Sequence, residues 1–210
     1  MLSTPNSSQS GTRAPTLDAR AGNITTLNGL DNKKVLVVGS ARGGKTCLVN
    51  RLVADEYATD ASGVTTYQQT LGAELSVKFF IESENRLSLS IWCLGSDPFC
   101  SRGHPRYHST NSQFFTDDTA VVLVTVDLLN SKSLDEAKLL FQKAKNACPT
   151  ALIYLVGTKS DVVDKVVFPI GELARAAQEA GAVAYKTTSS KAGTGIRDLF
   201  DELCAKLRDM

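Results

Sequence analysis

The sequence predicts an α/β domain, a mainly parallel six-stranded sheet with helices on both faces. Three observations predict it. Short apolar runs alternate with segments whose apolar residues recur at helical spacing, the pattern of parallel strands joined by crossover helices. The first such run, Val35-Leu36-Val37-Val38, leads straight into Gly39-Ser40-Ala41-Arg42-Gly43-Gly44-Lys45-Thr46. That stretch fits G-x-x-x-x-G-K-[ST], and a helix-periodic segment (Leu48, Leu52) follows it, which is the strand–loop–helix setting of a phosphate-binding loop. Finally, Ser76–Ile81 and Leu87–Trp92 flank the short polar stretch Glu82–Arg86 and read as an antiparallel hairpin.

Each element follows in order along the chain. Residues 1–32 are rich in Ser, Thr, Asn and Gly without sustained periodicity, and read as a flexible tail ahead of a domain spanning 33–210. Lys34–Val38 is the first strand, and the helix after the phosphate loop runs to about Val53. The hairpin comes next, between two irregular stretches, Asp55–Thr70 and Gly95–Asp118. Loops of that length in a compact domain are usually functional or mobile. Ala120–Val126 is a strand. Ser133 and Glu136 form a capping box that opens a helix to about Ala147. Ala151–Val156 is a strand, Gly171–Ala180 a helix closed by Gly181, and Val183–Thr187 the last strand. Ile196, Leu199, Phe200, Leu203 and Leu207 lie on one stripe of the final helix, so they pack on the sheet. Cys204 in that helix reads as structural rather than as a lipidation site.

The loops at strand ends carry the chemistry. Glycines let the backbone turn so that Gly39, Ser40, Ala41, Arg42, Gly43, Gly44 and the first residues of the helix, down to Cys47, wrap a phosphate with N–H groups. The helix N-terminus adds positive potential. Lys45 reaches β/γ-phosphates, and the Thr46 hydroxyl ligates Mg²⁺. Gly157-Thr158-Lys159-Ser160-Asp161 follows a buried strand. A carboxylate at Asp161 can accept from both N1–H and the exocyclic amine of guanine, a donor pair that adenine lacks. The Lys159 stem can lie along the base face. An ordinary polar loop would read the same way. Thr187-Thr188-Ser189-Ser190-Lys191 can offer N–H groups and a lysine to the base, although Ser/Thr loops are common. Thr70, ahead of the hairpin, can bring its hydroxyl to Mg²⁺ and γ-phosphate, or simply precede a strand.

Taken in order, these boxes resemble the Ras-superfamily small GTPases from about Lys33 to Leu207. The chain looks most like the Rab branch. Asp127-Leu128-Leu129-Asn130-Ser131-Lys132-Ser133-Leu134 is similar to a Rab Asp-x-x-Asn-x-x-Ser-Phe run, and Ala192–Phe200 to the start of the last Rab helix. The Roc domains of Roco proteins are a second relative, through Gln113-Phe114-Phe115-Thr116. The resemblance implies a P-loop GTPase (G) domain that binds GTP/GDP with Mg²⁺ and acts as a molecular switch. It implies Thr46 and Thr70 at the metal, with Thr70 in a first switch of roughly Asp55–Gly72. It places Lys159 and Asp161 on guanine, supported by Ser189, Ser190 and Lys191. Effector, exchange and activating proteins are the implied partners.

The chain departs from that pattern after its third strand. The family reads Trp-Asp-Thr-Ala-Gly-Gln; this chain reads Trp92-Cys93-Leu94-Gly95-Ser96-Asp97. Cys93 replaces the acidic residue that holds a Mg²⁺-bound water, and a thiol is a poor partner for a hard cation. Ser96 stands where a glycine N–H meets the γ-phosphate; Gly95, one residue away, either rescues this contact or does not. Asp97 takes the place of the water-orienting Gln and is the candidate catalytic residue, with a shorter, charged side chain. Slow hydrolysis is expected. Arg42 stands where relatives carry glycine, as a surface charge or folded over phosphate oxygens. Thr158 replaces the usual Asn, a mild departure since some family members carry Thr there, and losing the amide could loosen the tie between this loop and the phosphate loop. His104 and His108 in the long 95–118 segment read as solvated. Its aromatics Phe99, Tyr107, Phe114 and Phe115 suit a partner surface or anchoring to the core.

Composition narrows the remaining classes. Hydrophobic content is 42%, charged content 21% and net charge +1, so no nucleic-acid partner is expected. Five scattered cysteines without zinc spacing suit reduced thiols in the cytoplasm. No run approaches the ~20 apolar residues of a membrane span. No signal peptide, terminal glycine acceptor or prenylation box is expected, which leaves no intrinsic lipid anchor; contact with a membrane or cytoskeletal assembly would be peripheral, through a partner. The alternatives to a switch are a non-hydrolysing GTP-binding subunit or scaffold, and a P-loop kinase or ATPase, which the Asp161 and Ser189–Lys191 boxes oppose.

Overall fold

The computed structural model describes residues 31–57, 70, 72–82, 85–95, 112–167 and 169–210. The elements run β1 (Asp31–Gly39), α1 (Lys45–Ala54), β2 (Ala73–Glu82), β3 (Asn85–Leu94), β4 (Thr119–Asp127), α2 (Ser133–Ala147), β5 (Leu152–Thr158), α3 (Ile170–Ala180), β6 (Ala184–Thr187) and α4 (Ile196–Arg208). A short 3₁₀ turn, Val163–Lys165, lies between β5 and α3. The six strands form one sheet in the order β2-β3-β1-β4-β5-β6. All neighbours are parallel except the β2–β3 hairpin.

Side chains along the central strands point alternately to the two faces and build one core on each. Val35 and Val37 of β1 point to one side, where they meet Leu48 and Val49 of α1 and Leu199, Phe200 and Leu203 of α4. Leu36 and Val38 point to the other, against Leu140 and Phe141 of α2 and Leu173 of α3. Both faces are covered, so the central strands are near-continuous apolar runs rather than alternating ones. Cys204 lies in the first of these cores. No helix among the described residues is long and apolar enough to cross a membrane.

Three sequence expectations are corrected. Asp31 and Asn32, assigned to the tail, are strand residues: β1 begins at Asp31 and pairs with β3 from Asp31↔Leu87. Asn32 Oδ1 accepts from Ser88 Oγ at 3.0 Å and Ser90 Oγ at 2.9 Å, so its polar side chain has a reason to be in the sheet. The polar connection of the hairpin is shorter than Glu82–Arg86, because Glu82↔Asn85 and Ile81↔Arg86 are paired. The capping box does not form. Lys132 is the N-cap of α2, without a side-chain cap bond. The Ser133 hydroxyl accepts instead from the Asp127 backbone N–H at 2.7 Å. The remaining tail, residues 1–30, lies outside the described residues.

Candidate nucleotide site

Strand order reverses at β1, whose neighbours β3 and β4 connect to it in opposite directions along the chain. The crevice outside the carboxyl ends of such strands is where open α/β sheets bind ligands. The loops after β1, β3, β5 and β6 all emerge at this end, and they carry most of the candidate residues.

The phosphate loop is shaped by steric necessity. Gly39 has φ 149°, and a Cβ there would sit 2.0 Å from Thr125 Oγ1, a side chain that itself donates to Val38 O at 3.0 Å. Only glycine can end β1 this close to β4. Gly43 N–H then bonds Ser40 O at 3.1 Å and closes the turn. Gly44 caps α1. Lys45, almost fully buried, donates to Gly39 O at 2.9 Å and Ser40 O at 2.8 Å. Its ammonium is thus held inside the loop, where a phosphate would meet it. Ala41 and Arg42 are exposed at the outer turn of the loop.

The candidate metal position assembles from three elements. Thr46 on α1 and Thr70 before β2 place their hydroxyl oxygens 2.9 Å apart. Cys93 on β3 brings its Sγ to 3.6 Å from Thr46 Oγ1 and is 1% exposed. Burial pushes the Cys93 thiol up from its ordinary value, only partly opposed by the Thr46 hydrogen bond and the Lys45 charge, so it is neutral near pH 7. The two hydroxyls fit a hard cation such as Mg²⁺; the neutral thiol does not. Thr46 and Thr70 would therefore hold the metal, and Cys93 would leave one side of it without a carboxylate. Cys47, next to Thr46, is half-buried, with its thiol also pushed up by burial against the Lys159 charge.

Gly95 does not stand free to replace the glycine that Ser96 displaces. Its N–H donates to Gly72 O at 2.6 Å, and a Cβ would lie 2.4 Å from Thr70 O. Glycine is required there because the two loops touch, and that amide is committed to the Thr70 side. Ser96, Asp97, His104, His108, Phe99 and Tyr107 lie outside the described residues. Phe114 and Phe115 pack against the α2/α3-side core, and the Phe114 ring is 5.1 Å from that of Trp92. They anchor the end of the long segment.

The base-side loops are cross-tied. Asp161 Oδ1 accepts from Ser189 Oγ at 2.6 Å, so the two predicted guanine-side residues meet. Ser160 N–H bonds Thr188 O at 3.1 Å, and Thr188 N–H bonds Gly157 O at 2.7 Å. Ser190 and the exposed Lys191 continue the same loop. The loosening that loss of an Asn amide at Thr158 could have caused does not occur. The buried Thr158 hydroxyl lies 2.8 Å from Gly43 O and 3.1 Å from Val126 O, joining β5 to the phosphate loop directly. Lys159 holds a left-handed φ of 63° and pairs with Asp127 Oδ2 at 2.6 Å. Asp127 was missed as a site residue by sequence reasoning. The available signal was a carboxylate at the end of a buried strand, which needs a cationic partner.

The Ras family model matches residues 34–209. The chain is 28% identical over 175 residues to the ras-related protein Rab-5B of Dictyostelium discoideum, covering 83% of this chain and 74% of that one. It is 27% identical over 177 residues to the ras-related protein RABF2a of Arabidopsis thaliana, covering 84% and 81%. Against the ras-related protein Rab-10 of Caenorhabditis elegans it is 26% identical over 181 residues, covering 84% and 83%. The family match spans both cores and every loop described above, and with it the chain belongs to the Ras family, as a Rab-like small GTPase that binds GTP and GDP with Mg²⁺ and works as a GTP-hydrolysing switch with regulatory protein partners.

Proposed function

We propose that this switch hydrolyses GTP slowly and that its active lifetime is set by other proteins. In this reading Gly39 to Cys47 wrap the phosphates, Lys45 meets the β/γ-phosphates, and Thr46 and Thr70 ligate Mg²⁺. Asp161 reads guanine, Lys159 flanks the base, and Ser189, Ser190 and Lys191 support it. Asp97 sits where a water-orienting residue is expected and serves poorly. The observation that carries the reading is the commitment of the Gly95 amide to Gly72 O beside a buried neutral thiol at Cys93. Catalysis of phosphoryl transfer is mostly positioning and charge stabilisation, and both are weakened by these substitutions. The partners are effector, exchange and activating proteins, and the protein works in the cytoplasm, reaching membrane or cytoskeletal assemblies through them.

A single-turnover assay of protein loaded with Mg²⁺·GTP tests this. GDP formation below about 10⁻⁴ s⁻¹, the order of an unaided small GTPase, is expected. Asp97→Gln should raise that rate. Wild-type turnover well above that figure would sink the proposal.

A further inference from the structure

Lys159 stands in the base-side loop two residues before Asp161, and its ammonium is tethered from another strand. Lys159 Nζ lies 2.6 Å from Asp127 Oδ2 at the end of β4, with the carboxylate side chain 9% exposed and the lysine 34% exposed. Both carboxylate oxygens are engaged, because Oδ1 accepts from the Leu129 N–H at 3.1 Å. The backbone that carries the carboxylate is held too. The Asp127 N–H donates to Ser133 Oγ at 2.7 Å, and Thr158, paired with Asp127 across β4 and β5, has its hydroxyl 2.8 Å from Gly43 O. The Asp127 carboxylate therefore has one orientation, set by β4, β5 and the start of α2. The lysine has no such support of its own. A half-exposed lysine spreads over many rotamers unless a partner selects one. Its charge also lies close enough to Cys47, at the start of α1, to act on that thiol.

We propose that Asp127 is a positioning residue for the base: it holds Lys159 in the rotamer that lays the methylene stem along the base face, and so slows nucleotide release. The inference rests on the placement of Lys159 and Asp161 at the base proposed above. Asp127 itself touches no atom of the nucleotide. Its carboxylate orders the lysine before the nucleotide arrives, so binding no longer has to order it. A base face is common to all purines, so Asp127 contributes to retention and Asp161 to base choice.

Release of ribose-labelled fluorescent GDP from the full chain in Mg²⁺ tests this, in wild type, Asp127→Asn, Lys159→Met and the double variant. Asparagine keeps the shape and an oxygen for the Leu129 N–H while losing the charge. Each single variant is expected to release about tenfold faster than wild type. The double variant should release no faster than Lys159→Met, since Asp127 acts through the lysine alone. Asp127→Asn should accelerate release of the matching inosine diphosphate as much as that of GDP, because that base lacks only the amine facing Asp161. Asp127→Asn releasing GDP like wild type would overturn the inference. So would a double variant faster than Lys159→Met, which would mean that the carboxylate acts through the strand ends. An acceleration confined to GDP would do the same, by locating the effect at Asp161. Should Asp127→Asn alone not fold, the double variant, with both charges gone, carries the test by the same comparison with Lys159→Met. Lys159→Met releasing like wild type would overturn the placement of the lysine at the base, and the inference with it.

Discussion

Tyr154 sits on β5 with its ring fully buried in the α1/α4-side core, and its hydroxyl has no hydrogen-bond partner among the described residues. Burial, reinforced by the Glu202 charge, pushes its pKa from the ordinary 10 up to about 12. The sign of the consequence follows from linkage. The neutral phenol is favoured in the folded chain, so between these values the unfolded chain has lost its proton while the folded one keeps it. The contribution of Tyr154 to stability is therefore fully present below pH 10 and is lost as pH rises towards 12. Tyr154→Phe should flatten the alkaline decline of the melting temperature across that window. At neutral pH it should change stability by no more than about 1 kcal/mol, since it removes an unpaired hydroxyl and keeps the ring. A variant whose melting temperature falls with pH as steeply as wild type would contradict this. Asp127 illustrates the opposite case at the same scale: its buried carboxylate is balanced by Lys159 Nζ and by the Leu129 N–H at 3.1 Å.

At the scale of elements, the site depends on a few joints between strand ends. Thr158 closes β5, and its hydroxyl spans to Gly43 before α1 and to Val126 on β4. Thr188 and Ser189 after β6 tie in turn to Gly157 and Asp161. Ser133 at the start of α2 joins β4 through the Asp127 N–H, with its oxygen 3.3 Å from Ser40 Oγ. Base and phosphate loops thus form one hydrogen-bonded unit, although they lie far apart in the chain. Thr158→Val keeps the shape and removes the donor, leaving Gly43 O unpaired in a buried place. The expected loss is about 1–3 kcal/mol in denaturant unfolding, with faster GDP release. Thr158→Ser should retain both properties. Equal release rates for the valine and serine variants would show that the joint does not couple the loops.

For the whole molecule, a nucleotide in the proposed site would contact loops from four strand ends, so binding should be felt as global stability. A ligand at 1,000 times its dissociation constant stabilises the folded state by about 4 kcal/mol. Thermal melting with GDP or GTP should therefore shift upward by several degrees, and with ADP or ATP at the same concentration it should not. Asp161→Ala should abolish the difference between guanine and adenine nucleotides, because in the proposed site that carboxylate would distinguish the two base edges. Equal shifts with ADP and GDP in the wild-type protein would remove the guanine assignment.

The architecture was legible in the pattern of residues. Apolar runs of strand length alternating with helix-periodic segments leave few ways to bury both faces of a sheet, and the Gly39–Thr46 spacing marks where its ligand end lies. That pattern also exposed the departures at Cys93, Ser96 and Asp97, since a residue's chemistry is visible wherever it stands. How substitutions are compensated emerged only in three dimensions. Thr158 looked like the loss of an amide tie, yet its hydroxyl reaches Gly43 across 115 positions of chain. Gly95 looked like a spare γ-phosphate amide, yet it is spent on Gly72. Ser133 looked like a helix cap, yet it bonds the end of β4. In each case the partner is distant in sequence or competes with a local one, and a hydrogen bond is decided by proximity in space, which spacing along the chain does not encode.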